Sequence, residues 1–112
     1  MNILNELTTL FDTLRIPAET IEFTETPQPE TFAVFTPIDD NLALFADDEP
    51  HMEIQSVRIS VFTKHNYLQL IKNIKKSLLA DGFTISDSRK VAYESDTKYH
   101  HYAIDVEKDY LF

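Results

Sequence analysis

Apolar residues recur along this chain with two different periods, and the order in which the periods alternate leaves few architectures open. From Ile3 to Leu14 the apolar positions Ile3, Leu7, Leu10 and Leu14 form one stripe at helical spacing, flanked by Leu4 and Phe11. Asn2 is placed to cap this helix and Pro17 to end it. From Tyr67 to Leu78 the same spacing returns in Tyr67, Leu70, Ile71, Ile74 and Leu78, with Lys72, Lys75 and Lys76 largely opposite. Asn66 suits the N-cap of this second helix, and Gly82, the only glycine, suits its left-handed C′ position. Between and after the helices the period falls to two. Ile21 and Phe23 alternate with Glu22 and Thr24, and the sequences TFAVFTPI and NLALFADDEP supply strand-length runs at about 31–36 and 41–46. A turn is expected between those two runs, at Pro37, Asp39, Asp40 and Asn41.

The clearest strand, HMEIQSVRISVFT, changes phase: Met52 and Ile54 are even-numbered, whereas Val57, Ile59 and Val61 are odd. A β-bulge near Gln55–Ser56 would keep both sets on one face. Strands around Arg89–Glu94 and Tyr99–Glu107, joined by the turn Ser95–Thr97, read as a closing antiparallel hairpin. The expectation is therefore a single α+β domain over residues 1–112. Its mostly antiparallel sheet carries two α-helices on one face, in the order α-β-β-(β)-α-β-β.

Charge divides the chain further. Between Arg15 and Arg58 there is no lysine or arginine, yet Ile16–Val57 holds ten of the nineteen acidic residues and so accounts for the net charge of −9, the remaining residues being close to neutral. The ten are Glu19, Glu22, Glu25, Glu30, Asp39, Asp40, Asp47, Asp48, Glu49 and Glu53. Such a field repels phosphate backbones and argues against sequence-specific nucleic-acid binding through this part. With 43% hydrophobic residues, including eight Phe and five Tyr, the chain is too apolar to be disordered. It has no cysteine, which excludes thiol or cysteine–zinc chemistry and suits a reducing compartment. The N-terminus lacks the pattern of a signal peptide, no apolar run approaches the length of a membrane span, and a soluble, non-secreted protein is expected.

Catalytic chemistry finds little support. His100 and His101 are adjacent on a strand and point to opposite faces, so they do not make a two-ligand metal site. A site built from His51 with Asp47 or Asp48 would need further ligands, and Asp47–Glu49 lacks the alternating oxygens and central glycine of a calcium loop. One glycine cannot form a phosphate-binding loop, and no serine sits in a nucleophile elbow. An acid–base enzyme using His100 or His101 would need a cavity behind the sheet. No catalytic residue, metal or cofactor is assigned.

The series TFAVFTPIDDNLALFADDE, VRISVFTK, NYLQLIKNIKKSLLADGF and KYHHYAIDV resembles the small tail terminator proteins of long-tailed phages, also called tail completion or tail-to-head joining proteins. The matching stretches are Thr31–Thr36, Phe45–Glu49, Val57–Thr63, Asn66–Asp81 and Arg89–Val106. The resemblance implies a non-enzymatic virion protein at the head–tail junction, assembled in the host cytoplasm. Its subunits would form a hexameric ring that caps the tail-tube protein, stops polymerisation and docks the head connector, with DNA passing through. On that reading Asp39, Asp40, Asp47, Asp48 and Glu49 lie on loops facing the lumen or a ring neighbour, and Arg58, Lys72, Lys75 and Lys76 are their inter-subunit partners. The simpler reading of the acids is a solvated surface that keeps the monomer soluble. The alternative function is a stand-alone acidic binding or adaptor domain, a nucleic-acid mimic or inhibitor.

Overall fold

The computed structural model describes residues 2–44 and 50–111. Its elements are α1 (Ile3–Thr13), β1 (Ala18–Thr20), β2 (Thr31–Leu44), β3 (Pro50–Thr63), α2 (Tyr67–Ala80), β4 (Thr84–Glu94) and β5 (Tyr99–Leu111). The strands form one sheet in the order β1-β2-β3-β5-β4. Only the β1–β2 pair is parallel. This is the expected α+β domain, with two helices packed against a mostly antiparallel mixed sheet.

Pleat parity explains the core. Ala33 and Phe35 of β2, Val57, Ile59 and Val61 of β3, and Ile104 and Val106 of β5 share one face. Against it pack Ile3, Leu7, Leu10 and Phe11 of α1 and Ile71, Ile74 and Leu78 of α2, all buried. Both helices start on the asparagines expected to cap them: Asn2 Oδ1 accepts the Asn5 N–H and Asn66 Oδ1 accepts the Leu68 N–H. Both also end alike. After α2 the Gly82 N–H donates to the Leu79 carbonyl and the Phe83 N–H to the Leu78 carbonyl; after α1 the Arg15 N–H donates to Asp12 and the Ile16 N–H to Phe11. These are Schellman pairs, each followed by a buried apolar residue, Phe83 or Ile16. The left-handed position is Gly82 (φ 87°) in one and Arg15 (φ 61°) in the other. Arg15 therefore turns the chain before Pro17 is reached, which is why α1 stops earlier than the proline alone predicts.

Several strand expectations need correction. The first strand is Ala18–Thr20, upstream of Ile21 and Phe23: Ile21 adopts a left-handed φ of 76°, and Phe23 leaves the sheet edge to pack on Phe32. The runs expected at 31–36 and 41–46 are not separated by a turn, because Thr31–Leu44 is one continuous strand paired to β3; positions 45 and 46 of the second run lie outside the described residues. Among the described residues β1 flanks β2 only at Ala33–Phe35, so Pro37 lies on a free edge, where a missing N–H is tolerated. The bulge lies across from its expected place. Register shifts between Pro37 and Asp39, leaving Ile38 as the extra residue, while β3 pairs with β5 without interruption from Met52 to Thr63. Met52 and Ile54 consequently face away from the helices. Finally, β4 begins at Thr84, not Arg89, and β5 runs on to Leu111.

Strand length then dictates shape. Fourteen-residue strands span roughly 46 Å at ~3.3 Å per residue, whereas α1 and α2 cover only about 16 and 21 Å. The molecule measures 55 × 25 × 23 Å, and the far end of β2 and β3, with β5 alongside as far as Met52, runs on as an arm beyond the helices.

Candidate assembly surfaces

Of the ten acids of Ile16–Val57, the arm holds Asp39, Asp40 and Glu53, whereas Glu19, Glu22, Glu25 and Glu30 lie at the opposite end of the sheet, on β1 and the loop that follows it. Asp39 and Asp40 belong to β2, where they pair with Ser56 and Gln55, and are not on a turn as expected. Asp47, Asp48 and Glu49, also expected on a loop, lie outside the described residues. The arm's root is fastened to α1: Gln55 Oε1 accepts the Ile3 N–H at 2.9 Å, and Glu6 accepts hydrogen bonds from Lys108 Nζ at 3.0 Å and from the Tyr110 hydroxyl. Burial works against ionisation of Glu6, but those two bonds and the Lys108 charge prevail and hold its carboxyl below the usual range. Tyr110 is pushed well above an ordinary phenol, by burial first and then by Glu6.

Of the four bases expected to meet the acids of a neighbour, Lys72, Lys75 and Lys76 lie together on the outer side of α2. They line a groove of about 290 Å³ with Tyr67, Ile71 and Tyr102 at its floor. The Lys75 ammonium sits 5.5 Å from the Tyr102 ring centre, and Lys90 of β4 sits 4.5 Å over Tyr67. Arg58 is elsewhere. It lies on the sheet face opposite the helices and grips Asp105 of its own chain, Nε to Oδ1 at 2.9 Å and Nη2 to Oδ2 at 3.1 Å. Arg89 adds a longer contact of 3.7 Å to Asp105 and an ion pair with Asp87. Hydrogen bonds from Arg58 hold the Asp105 carboxyl below its usual range despite its burial.

Sequence reasoning missed this carboxylate–guanidinium cluster. Arg58 and Asp105 are each out of phase with the apolar residues of their own strands, so both had to face away from the core. What the sequence lacked was the β3–β5 adjacency that sets them opposite each other.

Near the other end of the same face lies an aromatic cluster. Phe62 stacks between Phe32 (4.8 Å) and His101 (4.3 Å), with Phe23 on Phe32 and Tyr99 edge-on. The loop 21–30 covers it, tied down by the Tyr99 hydroxyl donating to the Pro29 carbonyl at 2.7 Å and by His65 against Glu30 at 2.6 Å. Phe32 and Tyr99 are buried, and the covering loop carries Glu22, Glu25 and Glu30, so this is no open stacking platform for bases. His101 and His100 do point to opposite faces: His100 packs between Tyr67 and Tyr93 on the helix side. Among the described residues no three His, Asp or Glu side chains converge as metal ligands, and no helix is long and apolar enough to cross a membrane.

A cleft of about 520 Å³ separates α1 from α2, lined by Asn5, Glu6, Thr9, Thr13, Ser77 and Asp81 among others. The hydroxyls of Thr9 and Thr13 donate to carbonyls of their own helix, which leaves little polar chemistry aimed into the cleft. The sequence matches no protein-family model and no curated protein.

Proposed function

We propose that this protein is a structural subunit of the tail-terminator type, which assembles as a hexameric ring on the end of a phage tail tube. It ends tube polymerisation there and offers the head connector a docking surface. The observation that carries this reading is an elongated sheet with unlike surfaces: the end of β2 that bears Asp39 and Asp40 outruns the helices, while Lys72, Lys75 and Lys76 sit together on the outer side of α2. A subunit whose two ends differ in this way is suited to a heterologous contact, in which one patch meets a different patch on the next copy. Acids left over from that contact line the passage. They keep DNA phosphates from adhering to the wall during ejection, most strongly at low and moderate salt.

The partners on this reading are further copies of the chain, the tail-tube protein and the head connector, in the host cytoplasm during assembly and in the virion afterwards. Reversing Asp47, Asp48 and Glu49 to lysine tests the passage. Virions that join head to tail yet eject DNA poorly are expected; normal ejection from properly joined virions would contradict it.

A further inference from the structure

On the outer side of α2, Leu68, Lys72, Lys75, Lys76 and Leu79 fall within a single stripe at helical spacing, about 16 Å long. The two leucines are 68% and 60% exposed, unusually open for residues of this size. Among the described residues none of the three lysines meets a carboxylate. A second surface has the opposite character. On the sheet face away from the helices, a groove of about 380 Å³ is lined by Glu22 and Phe23 of the loop 21–30, by Glu94 at the end of β4, and by the rings of Phe32, Phe62 and Tyr99. Glu22 and Glu94 are exposed, and among the described residues neither meets a base. Glu94 accepts the Thr97 hydroxyl at 3.2 Å, and Lys64 lies over the Tyr99 ring at 4.9 Å without a salt bridge to either acid. One surface thus offers aliphatic anchors interleaved with cations, and the other an aromatic groove rimmed by acids.

We infer that the α2 stripe of one copy seats in the acid-rimmed aromatic groove of a second copy of the same chain, a contact that rests on the assembly reading above and gives it a specific pair of surfaces. The two cannot meet within one chain, because the sheet lies between them. Phe32 and Phe62 are opposite in pleat parity to Ala33, Phe35 and Val61, the residues that pack under the helices. Two copies of net charge −9 repel in most orientations. Placing the α2 lysines of one against Glu22 and Glu94 of the other is an orientation in which the local charges attract. Exposed ion pairs contribute little by themselves, so the lysines set the orientation while Leu68 and Leu79 supply the apolar burial. Because the two surfaces differ and lie on opposite sides of the sheet, each copy keeps one of them free for the next, and association continues past a dimer.

Charge exchange tests this on the intact protein by sedimentation across a concentration series. The variants K72E/K75E/K76E and E22K/E94K should each associate at least about tenfold more weakly than the parent. The second reduces the net negative charge and with it the general repulsion, so its weaker association reports the contact itself. Mixing the two variants should restore association, since the reversed stripe of one then faces the reversed groove of the other. L68S/L79S should weaken association by at least about tenfold with no change of charge. Carbodiimide, which joins a carboxylate to an amine in direct contact, should link Lys72, Lys75 or Lys76 of one copy to Glu22 or Glu94 of another, with isotope-labelled and unlabelled copies mixed to identify links between chains. A parent that is monomeric throughout the series or stops at a dimer overturns the contact, as does association indifferent to both charge reversals, or α2 links to other carboxylates alone. Tail-tube capping separates the two readings. Stripe–groove association without capping overturns the terminator and leaves the contact; capping by the parent that both reversals leave unchanged overturns the contact and leaves the terminator.

Discussion

Asp105 is the carboxylate at the centre of the ion cluster on the sheet face opposite the helices. It is buried on β5, with a side chain 12% exposed, and its two oxygens are taken by Arg58, itself 43% exposed. Removing the carboxylate leaves a guanidinium that water can still reach, which limits the penalty. Asp105→Asn should therefore lower stability at neutral pH by about 1–2 kcal/mol in urea unfolding. The pH dependence has a definite sign. The folded carboxyl titrates lower than an unfolded aspartate, so its contribution is present above about pH 4 and is lost as pH falls through the folded value. Parent and variant should converge in strong acid. His101 acts over a different window. Its Nε2 is buried without a partner, and burial leads the lowering of its pKa, opposed by Glu94 and reinforced by Arg89. Stability should sag as pH falls through about 6.5, where the unfolded ring gains a proton that the folded ring resists. His101→Phe, which keeps the stack on Phe62, should flatten the unfolding free energy between pH 7 and 5.

The two helix ends make a matched pair of experiments, since the same hydrogen-bond pattern is closed by glycine in one and arginine in the other. A Cβ added at Gly82 would meet only Lys108 Cε and Nζ, at 3.8 and 3.9 Å, an ordinary contact. The cost of Gly82→Ala is thus conformational, about 1 kcal/mol. Arg15→Gly should gain a similar amount, and thermal melts should move in opposite directions by roughly 4–8 °C. Gly82 was legible in the sequence because glycine advertises a left-handed turn; Arg15 was not, because a turn imposed by the burial of Ile16 leaves no local signature. Strands divide in the same way. The periodicity of Val57–Val61 placed their core face correctly, but the phase change at Met52–Ile54 has two physical causes with one sequence pattern. An inserted residue in β3 and a change in which face is apolar look alike until the partner strand is known, and here the extra residue is Ile38, in β2.

At the scale of the whole molecule, the expected architecture of two helices on one sheet face was legible because amphipathic stripes and alternation follow from burial alone. The arm was harder to see: Pro37, Asp39 and Asp40 read as a turn, and only the free edge of β2 makes a proline there compatible with a continuous strand. The Lys72–Lys76 cluster was visible as a solvated helix face. Its conversion into a groove depends on Tyr67, Lys90 and Tyr102, which come together only through the α2 and β4–β5 packing. Elongation, the Lys72–Lys76 cluster and exposed Leu68 and Leu79 suit the assembly role proposed above. The most direct measurement is electron microscopy of the purified protein mixed with tail tubes and with growing tube protein. Extra density at one end of each tube, together with arrested growth, is the expected result; bare tube ends, or decoration along the whole length with growth unchanged, would contradict it.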